Sequence, residues 1–332
     1  MILVTGGTGL VGGHLLLRLA GTTPVRALYR NKANIDKTRK LFIRHGRQTA
    51  FESIEWVHGD IIDIPALEEA FAGVTYVYHC AANVSFDPAD EIILRKTNIE
   101  GTANMVNCAL AFGVEKFCHV SSIAALGDPL VSGGVITEET DWNPEVNHSD
   151  YQITKYGAEM EVWRAWQEGL NVVIVNPGLI FGGGYGDQGS GAVLKSVKKG
   201  QMFYTTGTCG IVAVEDVVEI MVRLMQSDIN GARYTVIAEN INYKDLLDTI
   251  SVGMGKKGPS IEASKLMLAV GWRIDWLLSK LLHRKRQLTR HMAKSAYSTN
   301  PFDNSKIVNE LDYKFKDMRP YLKELAAEYL TE

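Results

Sequence analysis

The sequence predicts an α/β fold in which helices cover both faces of one doubly wound parallel sheet. Strand-like and helix-like segments alternate through residue 176 of the 332-residue chain. The strand-like segments are apolar along their whole length, as is typical of strands that a parallel sheet buries on both faces. A glycine-rich turn joins the first strand to the first helix within residues 1–13, which read MILVTGGTGLVGG. Together these observations indicate a doubly wound sheet.

The elements follow one another in a regular order. Six strands are expected, near residues 2–5, 25–29, 54–58, 74–80, 116–121 and 171–176. Helices are expected near residues 10–20, 63–72, 90–112 and 150–168, with a solvated, basic helix within 35–47. Ser149 and Gln152 form a candidate capping box for the helix near 150–168, and Gly169 is a suitable stop.

The first turn has a specific glycine spacing. Gly7, Gly9 and Gly12 satisfy G-x-G-x-x-G, and Thr5, Gly6, Gly9 and Gly12 satisfy T-G-x-x-G-x-x-G. One glycine allows the tight turn, one lets backbone N–H groups approach a pyrophosphate, and one lets the helix pack on the strand. A phosphate would then lie at a helix N-terminus, where free N–H groups favour negative charge. A Rossmann-type dinucleotide site is therefore expected here.

The pattern changes after residue 176. Six glycines fall within 182–191, and the later elements are shorter and less regular. We therefore expect a nucleotide-binding domain at 1–176 and a smaller, interleaved region at 177–332 that mainly binds substrate. Some segments of this second region are expected to return to the first core.

One later stretch has its own pattern. Residues 262–283 are apolar at helical spacing but are interrupted by Arg273, Asp275 and Lys280. These charges favour a lid or packing helix over a membrane anchor.

The composition is that of an ordinary globular protein. Apolar residues make up 46% of the chain and charged residues 22%, and the formal net charge is −3. This charge gives no reason to expect a nucleic acid or an acidic membrane surface as partner. The four cysteines are far apart and lack the spacing of a zinc site, so no metal is expected. With neither a signal peptide nor a membrane span in the sequence, we expect a cytoplasmic protein.

A second motif supplies candidate acid–base chemistry. Tyr151 and Lys155 are four residues apart, which places the phenol and the ammonium on one helix face. A nearby cation stabilises the phenolate and draws its pKa down from about 10 towards neutrality. Ser121 and Ser122 end an apolar strand, and ligands of doubly wound sheets bind at that end. Ser122 could donate to a substrate carbonyl oxygen, or both serines could simply cap the next turn.

These motifs together resemble the extended short-chain dehydrogenase/reductase family, within the NAD-dependent epimerase/dehydratase superfamily. The resemblance covers nearly the whole chain and rests on TGGTGLVGG, VYHCAA at 77–82, VSSIAALG at 120–127, YQITK at 151–155 and NPGLIFG at 176–182. Three further segments agree with it: TNIEGTANMVN at 97–107, VAVEDVV at 212–218 and FDNSK at 302–306. Dihydroflavonol-reductase-like and hydroxysteroid-dehydrogenase-like members are the most similar.

The resemblance implies roles for individual residues. Tyr151 would be the catalytic acid–base, Lys155 would lower its pKa and bind the nicotinamide ribose, and Ser122 rather than Ser121 would supply the active hydroxyl. The resemblance also implies a set of residues that contact the cofactor: Gly6, Thr8, Gly9, Leu10, Gly12, Arg30, Asp60, Ile61, Ala81, Ala82, Tyr151, Lys155, Pro177 and Ile180.

The second strand bears on the choice of cofactor. An NAD site usually has an acidic residue at this strand end, whereas a 2′-phosphate favours a cation with no carboxylate nearby. The chain offers Arg30 and Lys32 there, and the next acid along the sequence is Asp36. Because the arginine fork suits phosphate, NADP(H) is favoured over NAD(H).

Members of the family act as dehydratases, epimerases or reductases, and these classes differ at a few positions. Dehydratases resemble one another in an Asp-Glu pair after the active hydroxyl, where this chain has Ile123 and Ala124. Sugar-nucleotide epimerases have an arginine for the substrate diphosphate, where this chain has Cys209. The sequence therefore favours a reductase of a small ketone or aldehyde. The alternatives are an epimerase with tightly bound NAD that uses Arg223 or Arg290, and a non-catalytic NADP(H) sensor.

The substrate is not identified by the sequence. Candidate pocket residues, which could equally be core residues, are Phe86, Tyr185, Phe203, Tyr204 and Trp272. His79 and His119 lie within strands and are interpreted as satisfied interior residues. The resemblance implies a homodimer through the helices near 90–112 and 150–168. Closure of the glycine loop near 182–191 is expected to exclude water from the site and fix its geometry.

Overall fold

The computed structural model describes residues 1–131, 133–186 and 189–331. Its main feature is a parallel sheet of seven strands in the order β10-β6-β5-β4-β1-β2-β3. These strands are β1 Ile2–Thr5, β2 Val25–Tyr29, β3 Glu55–His58, β4 Tyr76–His79, β5 Lys116–Val120, β6 Val172–Pro177 and β10 Ala232–Val236. The six strands predicted from the sequence are confirmed, and the strand order reverses beside β1, as in a doubly wound sheet.

Helices cover both faces of this sheet. Through residue 226 the helices are α1 Leu10–Leu19, α2 Ile35–Arg44, α3 Gln48–Glu52, α4 Ile64–Phe71, α5 Glu91–Leu94, α6 Gly101–Ala111, α7 Asp150–Gln167, α8 Gly191–Lys198 and α9 Val214–Gln226. A π-helical turn, Arg95–Glu100, joins α5 to α6. The doubly wound α/β fold predicted from the sequence is therefore confirmed.

Side chains alternate between two cores across the sheet. Ile2 and Val4 of β1 pack with α1, α2 and α9 on one face, whereas Leu3 packs with α4, α6 and α7 on the other. Because both faces are covered, apolar residues predominate on both sides of the strands instead of alternating with polar ones.

The second half of the chain forms smaller sheets. A three-stranded sheet has the order β11-β9-β7, and a two-stranded one pairs β12 with β8. These strands are β7 Leu179–Phe181, β8 Phe203–Tyr204, β9 Thr208–Ala213, β11 Glu239–Asn242 and β12 Ile261–Glu262. The remaining helices are α10 Tyr243–Gly253, α11 Lys265–Leu281, α12 Arg290–Ser295, α13 Ser305–Leu311 and α14 Met318–Thr331.

The two halves are interleaved, since β10 of the second half joins the seven-stranded sheet and α9 packs against it. β10 comes from the second half and pairs with β6 at the edge of the seven-stranded sheet. The sequence reading did not assign this strand. A third core joins α8, α10 and α14 with β7, β9 and β11 and belongs to the second half.

Helix α11 differs from the other long helices in its exposure. Of its seventeen residues, Asp275 alone is buried, and most of its apolar side chains face solvent. Within the described part of the chain, no helix is both long and apolar enough to cross a bilayer.

Candidate functional site

The glycine turn after β1 lies against the end of β4. Gly6 has a φ of +70°, and a Cβ at this position would lie 2.8 Å from backbone atoms of Cys80 and Ala81. A Cβ on Gly12 would lie 2.3 Å from the Gly6 carbonyl oxygen, so glycine is required there for α1 to pack against the turn. Gly9 is the N-cap of α1 and offers no side chain to the helix N–H groups.

This cradle fits a pyrophosphate. The open N-terminus of α1 leaves backbone N–H groups for an anion, and Thr8 and Leu10 flank Gly9 at that point. The predicted contacts of Gly6, Thr8, Gly9, Leu10 and Gly12 with a dinucleotide stay predictions.

The ends of β2 and β3 bring a cation and a carboxylate together. The Nη1 atom of Arg30 lies 3.6 Å from Oδ2 of Asp60, and the Arg30 side chain is 62% exposed. The sequence interpretation that no carboxylate lies near Arg30 is therefore wrong, because the neighbouring strand supplies one. Ile61, the next residue, is buried, and its carbonyl oxygen accepts a hydrogen bond from Asn104 at 3.1 Å.

The segment after β4 is held by two polar side chains. The N–H of Ala81 donates to Oγ1 of Thr5 at 3.1 Å. Asn98, in the π-helical turn, accepts from the N–H of Asn83 at 2.7 Å and donates to its carbonyl oxygen at 3.0 Å. These bonds fix the backbone on both sides of Ala82, beside the glycine turn. The sequence analysis did not identify Asn98 as a functional residue, although it lies in the segment TNIEGTANMVN at 97–107 that agrees with the family resemblance.

Tyr151 lies in the first turn of α7, close to Ser122. The helix begins with the predicted capping box, in which the N–H of Gln152 donates to Oγ of Ser149 at 3.3 Å. Burial raises the pKa of the Tyr151 phenol, and a hydrogen bond from the Ser122 hydroxyl acts in the opposite direction. Ser122 also accepts from the N–H of Ala124 at 3.1 Å. This serine thus both caps the next turn and reaches the phenol.

Lys155 lies one turn after Tyr151 and is buried. Its ammonium donates to the carbonyl oxygen of Val120, at the end of β5, at 2.9 Å. Burial lowers the pKa of Lys155 to about 8, and the nearby Glu159 carboxylate opposes this shift. The predicted trio of Ser122, Tyr151 and Lys155 is thus brought together at the carboxyl edge of the sheet.

A buried carboxylate lies one turn beyond Lys155. Glu159 Oε1 accepts from Nη1 of Arg233 at 2.8 Å. Its Oε2 accepts from Oγ of Ser121 at 2.7 Å and from Nδ2 of Asn176 at 2.8 Å. Asn176 also donates to the carbonyl oxygen of Ser122 at 3.0 Å. The sequence reading missed Glu159 and Arg233, although the spacing of Tyr151, Lys155 and Glu159 places all three on one helix face.

Two stacked histidines lie within β4 and β5. Their ring centroids are 5.3 Å apart. His79 bonds to Oγ1 of Thr5 at 2.8 Å and of Thr102 at 3.0 Å, and burial lowers its pKa to about 3. Burial also lowers the pKa of His119, but among the residues that the structure describes neither of its ring nitrogens has a hydrogen-bond partner. The interpretation of a satisfied interior residue is thus correct for His79 and wrong for His119.

The chain after β6 turns towards the predicted carboxamide site. Pro177 ends β6 and is buried, and Ile180 lies in the middle of β7, half-buried. Their predicted contacts with a nicotinamide stay predictions.

The glycine loop packs on the helices of the nucleotide-binding half. Nε2 of His14 bonds to the carbonyl oxygen of Gly183 at 3.1 Å, and the Tyr185 hydroxyl bonds to Oγ1 of Thr38 at 3.0 Å. Tyr185 is thus a packing residue of α1 and α2 rather than a residue of the cavity described below. Residues 187 and 188 lie outside the described residues, so the closure of the loop stays a prediction.

A cavity of about 660 Å³ lies beside the first turn of α7. Gln152 and His148 line one side, whereas Leu268 and Trp272 of α11 line another. Cations from α11 and α12 border it: Lys265, Arg290 and Lys294. Of the aromatic candidates, Trp272 lines this cavity, but Phe203 and Tyr204 do not.

Phe86 lies on the Tyr151 side of α7. The two rings are 5.5 Å apart and meet edge to face. The Phe86 side chain is about half exposed, so it offers an apolar surface beside the phenol.

A larger open cavity lies at the other end of the strands. Its volume is about 780 Å³, and it is lined by Ile2, Lys116 and Asn171. Ligands of doubly wound sheets bind at the carboxyl ends of the strands. This cavity lies at the amino ends, so we do not assign it to the cofactor or the substrate. Among the described residues, no group of three or more His, Cys, Asp or Glu side chains could hold a metal ion.

Comparisons with known proteins identify the family of the chain. Residues 2–238 match the sequence model of the NAD dependent epimerase/dehydratase family. A putative dihydroflavonol 4-reductase from Synechocystis sp. is 30% identical over 317 residues, which cover 93% of this chain and 88% of that protein.

Two solved structures show the likeness in three dimensions. The structure of gox2253 has a TM-score of 0.81 at 27% identity and covers 100% of this chain and 98% of its own. The dTDP-glucose 4,6-dehydratase DesIV from Streptomyces venezuelae, with NAD and TYD bound, has a TM-score of 0.77, covering 100% of this chain and 97% of its own. The identity to DesIV is 20%, so this likeness concerns the fold alone.

Proposed function

The chain belongs to the NAD-dependent epimerase/dehydratase family, and on this premise we propose that it is an NADP(H)-dependent reductase of a ketone or aldehyde carbon. We assign it to the NAD(P)-dependent enzymes of the extended short-chain dehydrogenase/reductase type. One observation carries the proposed proton transfer: Ser122 lies beside the Tyr151 phenol, and the buried Lys155 ammonium lies one turn further along the same helix. The choice of a reductase over an epimerase is supported by Cys209, which stands where epimerases have an arginine.

In this proposal each group has one task. Ser122 donates a hydrogen bond to the substrate carbonyl oxygen and orients it. Tyr151 transfers its phenolic proton to that oxygen, which becomes the hydroxyl of the alcohol product, and the phenol then recovers a proton from solvent. Lys155 places a positive charge near the phenolate formed in this step and so lowers its free energy. A bound reduced nicotinamide dinucleotide supplies the hydride for the carbonyl carbon.

The geometry supports Tyr151 as an acid. Since burial raises its pKa, the phenol is protonated at neutral pH and has a proton to give. The Val120 carbonyl holds the Lys155 ammonium in place, and Asn176 holds the backbone of Ser122. The positions of the reacting groups are therefore fixed before substrate binds, which favours catalysis.

We propose NADP(H) over NAD(H) because of Arg30. Its guanidinium is mostly exposed, and its contact with Asp60 is long, at 3.6 Å. A 2′-phosphate placed at the end of β2 would offer this fork a shorter, doubly charged partner. Asp60 counts against the choice, since the carboxylate would repel the same phosphate.

Assembly and location are further parts of the proposal. Ile92 and Ile93 of α5 and Trp166 of α7 are exposed, which supports a homodimer through these helices. All four cysteines are free thiols, which supports a reducing compartment, the cytoplasm.

An epimerase with tightly bound NAD is the second candidate. The observation in its favour is the set of cations around the cavity, where Arg290 lies with Lys265 and Lys294 and could face a substrate diphosphate. Arg223, the other arginine considered, is ion-paired with Glu219 on α9 and does not line this cavity. A non-catalytic sensor is disfavoured, because a sensor has no need of the assembled trio.

The experiment is to denature the purified protein and identify any nucleotide released, and to titrate the stripped protein with NADPH and NADH. Exchangeable binding that favours NADPH, with NADPH consumed when ketones or aldehydes are added, would support the reductase. Stoichiometric NAD that does not exchange, with no net consumption of reduced cofactor, would overturn it in favour of the epimerase.

A further inference from the structure

Helix α11 presents an apolar stripe to solvent. Five side chains recur at the spacing of one helix face and are 48 to 74% exposed: Leu266, Val270, Ile274, Leu277 and Leu281. Met267 and Leu278, also exposed, widen the stripe on one side. This pattern is the reverse of an ordinary surface helix, whose apolar face is turned to the core.

The opposite side of the helix is anchored to the protein. Asp275 is buried and accepts the N–H groups of Gln287 at 3.0 Å and Leu288 at 3.1 Å. Its other oxygen accepts from Nη2 of Arg284 at 2.8 Å. A rotation of α11 that buried the stripe would break all three hydrogen bonds of Asp275. These bonds therefore keep the stripe facing solvent.

Positive charge accompanies the stripe. Residues 265–290 contain seven Lys and Arg and one acidic residue, in a chain whose formal net charge is −3. Arg273 and Lys280 are exposed on α11, and their cationic groups lie over the rings of Trp272 and Trp276 at 4.4 and 4.5 Å. Apolar side chains, tryptophan and Lys or Arg together are typical of helices that lie in the interface of a bilayer.

We propose that the outer face of α11 docks on the surface of a bilayer that contains anionic lipids. The charge decides between occupants of this face. A symmetric contact with a second copy would place two such basic segments against each other, whereas an anionic lipid surface attracts them. Docking is parallel to the surface, since α11 does not qualify as a membrane span.

The inner side of the same helix lines the 660 Å³ cavity with Leu268 and Trp272. Docking therefore brings one wall of that cavity to the lipid surface. This inference goes beyond the proposed function and holds for a reductase or an epimerase alike.

The test is flotation of the full-length protein with vesicles of phosphatidylcholine alone or with roughly 30% phosphatidylglycerol. The wild type is expected to float with the anionic vesicles and to be released by salt, because salt screens the charges. Val270→Ser/Ile274→Ser/Leu277→Ser is expected to weaken binding at least about tenfold. Ile43→Ser/Val252→Ser, which alters exposed apolar residues on α2 and α10, is the matched control and is expected to bind like the wild type.

A second variant tests the charge. Arg273→Gln/Lys280→Gln is expected to weaken binding to anionic vesicles about tenfold. Circular dichroism and dinucleotide titration of every variant establish that the fold is retained. The proposal is overturned if the wild-type protein floats with neither kind of vesicle. It is also overturned if the matched control loses as much vesicle binding as the stripe variant. Loss of self-association in the stripe variant, with no vesicle binding by the wild type, would assign the stripe to a second copy instead.

Discussion

The carboxylate of Glu159 lies 2.8 Å from the guanidinium of Arg233, and the two side chains are 0% and 18% exposed. Glu159 is on α7, one turn after Lys155, whereas Arg233 is on β10, which comes from the second half of the chain. The ion pair thus ties the helix of the catalytic candidates to the edge strand of the seven-stranded sheet.

Glu159→Gln is expected to lower the free energy of unfolding by about 3 kcal/mol, because it leaves the Arg233 guanidinium without its counter-ion. Urea unfolding measures this change. Glu161→Gln is the matched control on the same helix: Glu161 pairs with Arg164 near the surface, so the expected loss is at most about 0.5 kcal/mol. Equal losses in the two variants would contradict the structural importance of the buried pair.

Tyr151→Phe is expected to lower kcat about a thousandfold or more and to leave NADPH binding unchanged, because the ring remains and only the proton donor is lost. Steady-state rates and fluorescence titration separate the two effects. Tyr156→Phe on the same helix is the control, since Tyr156 stacks on Trp142 at 4.4 Å. Turnover that survives in Tyr151→Phe would refute the proposed proton transfer.

Ser122→Ala is expected to affect mainly kcat, whereas Ser121→Ala is expected to affect mainly the free energy of unfolding. Ser122 lies against the phenol and caps the next turn, so its loss should lower kcat about a hundredfold and also cost about 0.5 kcal/mol of stability. Ser121 bonds to Glu159 at 2.7 Å, so its loss should cost about 1 kcal/mol of stability with a smaller effect on kcat. The reverse result would move the active hydroxyl to Ser121.

Lys155 is expected to give activity and stability opposite dependences on pH. Its pKa of about 8 in the fold lies below the ordinary 10.5, so the unfolded chain binds the proton more tightly. As pH rises through 8 the ammonium is lost and the rate falls. Between about 8 and 10.5 the Lys155 contribution to the free energy of unfolding rises. Lys155→Met should lack both changes, and identical pH profiles of the two proteins would contradict this reading.

Arg30→Ala is expected to raise KM for NADPH about tenfold and to leave KM for NADH unchanged, because the guanidinium would pair with the 2′-phosphate alone. Steady-state rates at varied NADPH or NADH give the two KM values. Arg39→Ala serves as control, since Arg39 is exposed and lies 3.8 Å from Asp36. A variant that raises both KM values equally would remove the argument for NADP(H).

Local patterns allowed the sequence to predict much of the fold and of the site. Apolar runs predicted six strands of the large sheet, the Ser149–Gln152 box predicted the start of α7, and the spacing of Tyr151 and Lys155 placed them on one face. Each of these depends on residues within a few positions of one another.

The rest depends on pairs that meet only in the folded chain. Arg233 and Glu159 are 74 positions apart, and Asp60 meets Arg30 because β2 and β3 are neighbours. The local pattern of β10, ARYTV, is not an apolar run, and the strand is fixed by its pairing with β6 from the other half of the chain. The sequence predicts a lid or packing helix at 262–283 and not the exposed stripe of α11, since periodicity shows which residues share a face but not where that face points.

The late position of β10 has a consequence for synthesis on the ribosome. A nascent chain that has emerged as far as β6 has an open sheet edge and a buried carboxylate still without its arginine. The sheet is completed only after residues 232–236 have emerged. Completion of the first half's sheet therefore waits until the second half has been made as far as Val236. An arrested chain that ends before β10 is expected to be sensitive to proteases.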